Sequence, residues 1–168
     1  PRETTRSKFE SRKIDSLIKL QDVNDKTVVV KFGYDAITAI KTTQGIVIVD
    51  AGISTSLTNR YKRLIEKEFN QKNFVYVINT HGHHDHIRGN SVFHHAQIIG
   101  HENCKNDAAE TENTDSTMIR IGRIVYEYNQ QLQQINPGTH EWEDIFTQKI
   151  RYSNAYLDIS KNIPLILP

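Results

Sequence analysis

The 168-residue chain carries 21 lysines and arginines against 20 aspartates and glutamates, a formal net charge of +1. That length is enough for one domain with its own core, and the balanced charge gives no reason to expect nucleic acid or an anionic membrane as partner. A single cysteine, Cys104, excludes an internal disulfide, and no apolar run is long enough to cross a bilayer.

The chain opens on Pro1 rather than Met, so upstream sequence, a leader or a tag is expected to have been removed. A soluble protein of the cytoplasm or the periplasm fits equally well. Residues 1–26 are polar and charged and read as an arm. Phe9, Ile14, Leu17, Ile18 and Leu20 give it enough apolar surface to dock on the rest. Strand signals follow: the β-branched run Thr27–Phe32, a turn at Gly33-Tyr34-Asp35, alternation over Ala36–Ile40, and a turn at Thr43-Gln44-Gly45. Ile46–Val49 is a continuous apolar strand, of the kind buried on both faces, and it ends at Asp50-Ala51-Gly52.

Ser56–Phe69 is amphipathic, with Leu57, Tyr61, Leu64, Ile65 and Phe69 on one side, and reads as a helix. Phe74–Ile78 is the next buried strand, Asn90–His95 a short segment, and Gln97–Gly100 a further strand. This alternation predicts an α/β (α+β) layered fold. Residues 105–116 read as a loop. Met118, Ile121, Val125, Tyr128, Leu132 and Ile135 then mark a helix that Asn136-Pro137-Gly138 stops. A second helix over Glu141–Asp158, with Trp142, Ile145, Phe146, Ile150 and Tyr156 on its apolar side, completes a helical hairpin. That stripe is read as core packing, with a lid over the site as the functional alternative. The chain closes on the apolar Ile163–Pro168, expected to be the start of a further segment.

His81, His83, Asp85 and His86 form H-x-H-x-D-H directly after a buried strand. Side chains two apart in near-extended backbone point the same way, so His81 and His83 can grip one ion. As the chain turns, Asp85 and His86 can face a second position. Imidazoles with one carboxylate suit zinc, and a water between two such ions becomes a nucleophile near neutral pH. A polar loop with solvated histidines is the plain alternative, and this spacing after this strand favours metal.

These residues carry a resemblance. Gly45–Gly52 and Thr80–His86 together resemble the metallo-β-lactamase superfamily over about residues 27–104. The resemblance implies the first half of an αββα sandwich, here followed by the hairpin at 105–160 and, from 161 to 168, the start of a second half. It implies that His81 and His83 bind a first metal, that Asp85 and His86 bind a second, and that Asp50 supports the site. For Asp50 alone, opening the turn before Gly52 is an equally good reading.

The sequence departs from the family in two ways. Arg88 stands where many members have the first of two glycines, which would put a cation near the site mouth. The third zinc histidine, the bridging aspartate and the final histidine of the family have no match within 168 residues. His140 stands at a helix start with no strand before it and is not expected to be a ligand. His101 follows a strand that should end near the site, so it is a candidate for supporting or substrate contact. His84 is expected to face solvent or substrate, His94 and His95 the surface, and Cys104 the interior.

The family covers lactams, lactones, esters, thioesters and more, and some of its β-lactamases lack the final histidine of the motif, so His86 argues against that subclass. The expectation is a zinc hydrolase with one or two ions, in which Asp85 orients the attacking hydroxide and takes part in proton transfer. Its partners would be a small-molecule substrate, and either the second half of the fold or a second copy to complete the site. A mononuclear iron oxygenase resembling persulfide dioxygenases shares the motif and is the alternative. A non-catalytic metal-binding half-fold is a third reading.

Overall fold

The computed structural model describes residues 5–109 and 114–168. Six strands form one sheet in sequence order: β1 (Lys19–Asn24), β2 (Thr27–Phe32), β3 (Asp35–Lys41), β4 (Ile46–Val49), β5 (Phe74–Asn79) and β6 (Gln97–Gly100). The first four pair antiparallel, as tight turns between them require. β4, β5 and β6 run parallel, because α2 (Thr55–Phe69) and then a helical crossover separate them. The crossover after β5 is one turn of helix, α3 (His84–Ile87), and a 3-10 segment, Arg88–Phe93. α4 (Cys104–Ala109), α5 (Asp115–Leu132) and α6 (His140–Ser160) complete the order, with α1 (Thr5–Leu17) ahead of the sheet.

The sequence reading gains three elements here. Residues 5–24 of the expected arm form a helix and an edge strand, and Cys104–Ala109, expected to be loop, is helical. α1 is held by ion pairs rather than apolar contact alone: Lys13 to Glu143 at 2.7 Å, Lys149 to Glu10 at 3.2 Å, and Asp15 to Arg60. Such pairs join residues far apart in the sequence, which local patterning does not register. The side chain of Phe9 lies outside the described ones.

The core sits on one face of the sheet. Val28, Val30, Ile37, Ala39, Ile48 and Val77 are buried there against Leu57, Tyr61, Ile65 and Phe69 of α2. Each of the valine, leucine, isoleucine and phenylalanine side chains among them contributes on the order of 1.5–3 kcal/mol by leaving water. α2 starts at Ser54, whose hydroxyl accepts from the Leu57 amide, and stops at Asn70 in the left-handed conformation (φ 47°). The other face is only partly covered by the described residues. Val47 and Val49 are half-buried, Ile78 is 38 % exposed and Ile99 40 %.

The hairpin is formed as expected, but its two helices differ. α6 buries Phe146, Ile150, Ala155 and Ile159, together with Arg151 and Asp158, and it packs against α2. Asp158 accepts from both the amide and the hydroxyl of Thr55, each at 2.7 Å. α5 buries only Thr117 and Ile121 and leaves Ile119 and Tyr126 more than 60 % exposed. α6 is therefore core. Among the described residues no helix is long and apolar enough to cross a membrane.

Candidate metal centre

Asp50 and His81 stand just beyond the carboxyl ends of the adjacent parallel strands β4 and β5, where side chains of an α/β sheet converge on ligands. Asp50 continues the ladder, its amide donating to the carbonyl of Ile78 at 2.9 Å, and then turns into the left-handed region with φ 58°. Few residues other than glycine take that conformation, and aspartate is among those that do. The turn aims its carboxylate at the motif. Oδ1 accepts from the Thr80 amide at 2.9 Å, and Oδ2 lies 2.9 Å from the Thr80 hydroxyl and 2.8 Å from Nδ1 of His86.

Those contacts determine the histidine tautomers. A carboxylate only accepts, so Nδ1 of His86 carries the hydrogen, and in the neutral imidazole Nε2 is the atom with the lone pair. The Thr80 hydroxyl spends its single hydrogen on Asp50 and accepts from Nδ1 of His81, 3.0 Å away. His81 therefore also presents Nε2 as a lone pair. One carboxylate thus orders two imidazoles, one directly and one through a hydroxyl, which is how metal-binding histidines are usually oriented.

The charges agree. Burial works against the Asp50 carboxylate, but the bonds from His86 and Thr80 win and hold it below its usual range. The same bond raises His86. Burial, followed by repulsion from His86 and His83, lowers His81.

The backbone of the motif is pinned to the turn after β4. The carbonyl of His86 accepts from the Ala51 amide at 2.7 Å and from Asn79 Nδ2 at 3.2 Å, and the Gly89 amide donates to the carbonyl of Gly52 at 3.2 Å. A methyl group on Gly89 would land on the Ala51 carbonyl and the Thr58 hydroxyl, so only glycine allows this approach. Asn79 and Asn90 exchange side-chain hydrogen bonds of 3.1 and 2.8 Å, and Asn90 also donates to the carbonyl of Ile166 at 2.7 Å. The chain after α6 thus returns to the base of the site.

The four motif residues lie together. The rings of His81 and His83 are 4.6 Å apart and those of His81 and His86 4.0 Å. Oδ1 of Asp85 stands 3.7 Å from Nε2 of His86, within a few tenths of an ångström of the roughly 3.3 Å that separates two donors on a tetrahedral zinc. The donor types and their freed lone pairs fit a metal. Among the described residues, however, no group of three or more His, Cys, Asp or Glu side chains is set to hold one ion.

The expectations for Arg88 and His84 change. Arg88 is buried, not at a mouth; burial lowers it to about 10, and the carboxylate of Asp158 acts against that fall. His84 turns toward the hairpin, its ring 6.3 Å from that of Tyr152, and burial lowers it to about 4. His101 is exposed and its Nδ1 accepts from the Asn103 amide at 3.2 Å, at the turn that opens α4. His140 is exposed at the start of α6 and Cys104 is buried.

Three residues near the motif, Thr80, Asp35 and Arg151, carried no site role in the sequence reading. Thr80 was visible in the motif, but its bridging hydroxyl is a tertiary feature. Asp35, read as part of a turn, is buried and accepts from the buried hydroxyl of Tyr61 at 2.7 Å; burial raises its carboxyl to about 6, against the pull of Arg151 and Tyr61. Arg151 of α6 places Nη2 3.7 Å from Oδ2 of Asp85. The signal available was the stripe 147, 151, 155 and 158, spaced like a buried helix face but holding Thr, Arg, Ala and Asp.

The family model of the metallo-beta-lactamase superfamily matches residues 31–148. The chain belongs to that superfamily. No curated protein matches it. Among solved structures, a metallo-beta-lactamase from Pontibacter korlensis is 18 % identical with a TM-score of 0.49, over 55 % of this chain and 47 % of that one. One from Hirschia baltica is 14 % identical with a TM-score of 0.49, over 56 % and 48 %. A subclass B3 metallo-beta-lactamase of Bradyrhizobium japonicum is 27 % identical with a TM-score of 0.42, over 47 % and 31 %. This metallo-beta-lactamase superfamily chain therefore spans at most about half the length of these structures.

Proposed function

We propose that the chain carries the metal-binding half of a zinc-dependent hydrolase acting on an ester, thioester, lactone or lactam bond. The observation that carries this reading is the ordering of two imidazoles by one carboxylate: Asp50 fixes His86 directly and His81 through Thr80. A loop of merely solvated histidines has no use for a buried aspartate in a left-handed turn that leaves two Nε2 lone pairs free.

His81 and His83 would hold one ion, and Asp85 and His86 a second or a shared one. Bound there, zinc would polarise the scissile carbonyl and lower the pKa of a water. The chain's own residues supply the rest. Asp50 keeps both imidazoles in the ligating tautomer, and Asp85 accepts the proton of the attacking water and orients it. A catalytic zinc takes three protein ligands, so the remaining donors are proposed to come from residues outside these 168, in the same polypeptide or a second copy.

The test is metal analysis together with hydrolysis of a chromogenic lactam, a lactone, a thioester and an aryl ester, with and without chelator. Zinc in the purified protein and hydrolysis that chelation abolishes support the reading. Iron with oxygen uptake in place of hydrolysis would replace it by the oxygenase.

A further inference from the structure

Arg151 lies in the middle of α6 with 5 % of its surface exposed, a rare position for a guanidinium. Withdrawing that cation from water costs several kcal/mol unless carboxylates face it. Two do so: Asp85 at 3.7 Å, and the buried Asp35, whose carboxylate the same cation stabilises. Nη1 donates to Oε1 of Gln148 at 2.7 Å, one turn earlier on the helix, which fixes the plane of the fork. Nε is buried without a hydrogen-bond partner, so the helix does not use up the donors of this side chain. The next residue, Tyr152, stacks on Tyr128 with ring centres 6.1 Å apart and faces His84 at 6.3 Å. α6 thus meets the motif at two consecutive side chains. Asp85 is divided between Arg151 and His86, with Oδ2 toward Arg151 and Oδ1 toward Nε2 of His86.

We propose that Arg151 is a positioning residue of the metal centre: it holds Oδ2 of Asp85 so that Oδ1 stays turned toward His86. The hairpin then orients one of the metal's ligands, besides packing on the core. This rests on the metal-dependent reading above. Charge taken alone predicts the opposite consequence, because a cation beside the site repels a divalent ion and its removal would tighten binding. Orientation predicts that removal weakens binding. The sign of the effect separates the two.

The experiment is titration of the full chain with Co²⁺, followed by its visible absorption, for wild type, Arg151→Met, Arg151→Lys, Asp85→Asn and the Asp85→Asn/Arg151→Met double variant. Arg151→Met should bind Co²⁺ tenfold or more weakly with an altered band shape, the loss usual for a group that orients a ligand. Arg151→Lys, which keeps the charge without the fork, should recover part of it. In the Asp85→Asn background Arg151→Met should add no further loss, since it acts through Asp85. Equal or tighter binding by Arg151→Met, or the same loss in the Asp85→Asn background, overturns the proposal. Should circular dichroism show Arg151→Met unfolded, Arg151→Lys takes its place in the cycle under the same criteria. Wild type that binds no Co²⁺ overturns the metal-centre reading itself, and this proposal with it.

Discussion

Replacing Asp50 by asparagine changes one atom and asks whether this carboxylate orders the histidines. In the wild type both oxygens accept, from the Thr80 amide at 2.9 Å, the Thr80 hydroxyl at 2.9 Å and Nδ1 of His86 at 2.8 Å. An asparagine amide must point its NH₂ at one of these donors, whichever way it turns. If it faces His86, the imidazole has to accept at Nδ1, moving its hydrogen to Nε2 and removing the lone pair a metal needs. If it faces Thr80, two N–H groups oppose each other. A lost charge-assisted hydrogen bond costs about 1.5–3 kcal/mol. His86 is 30 % exposed, so the lower end applies. At about 2–4 °C per kcal/mol for a chain of this size, the thermal midpoint should fall by roughly 3–6 °C. Zinc affinity should fall about ten- to a hundredfold. Competition with a chromophoric chelator measures the affinity, and long-range ¹H–¹⁵N correlation of the imidazoles reads the tautomer directly. An Asp50→Asn protein that binds zinc within twofold of wild type, with His86 still protonated at Nδ1, would refute the reasoning.

Asp85→Asn should cost at least about a hundredfold in turnover, a much larger effect than its cost in thermal midpoint, because its carboxylate serves the metal and the water while Asp35 still faces Arg151; unchanged turnover would remove Asp85 from the chemistry. Gly89→Ala should lower stability by about 1–3 kcal/mol in a denaturant melt, since the added methyl meets the Ala51 carbonyl, and a wild-type midpoint would contradict that packing. Ile150→Ala should cost about 2–5 kcal/mol while Tyr126→Ala stays within about 0.5 kcal/mol, because only the first is buried. Asp35 is raised from 3.8 to about 6; its contribution to stability is full below pH 3.8 and is lost as pH rises through 6, on the order of 3 kcal/mol. Asp35→Asn should therefore gain stability relative to wild type between pH 4 and 7, and parallel stability–pH curves would show that Asp35 keeps its ordinary value.

Strands β2 to β6, α2, the hairpin and the H-x-H-x-D-H motif were legible because each leaves a short-range trace. β4 and β5 are apolar runs ended by polar turns, α2 has a clean 3.6-residue stripe, and the motif packs four donors into six residues. The supporting network was not legible. Arg151 and Asp158 look like solvent-facing residues of an amphipathic helix, and only α6 against α2 and the motif shows why they are buried. Arg88 misled for the same reason, since a charge in a loop gives no sign of burial. Asp35 and Tyr61 are 26 residues apart, and their hydrogen bond exists only once β3 and α2 pack. Asp50 was legible as a candidate, but not its reach to two histidines, which depends on the left-handed turn at φ 58°.

The most direct test of the metal centre is elemental analysis of protein purified without added metal, comparing wild type with His81→Ala/His86→Ala. The account predicts zinc in the wild type and its loss from the double variant at unchanged circular dichroism. Iron in place of zinc, no metal in the wild type, or equal zinc in both proteins would contradict it.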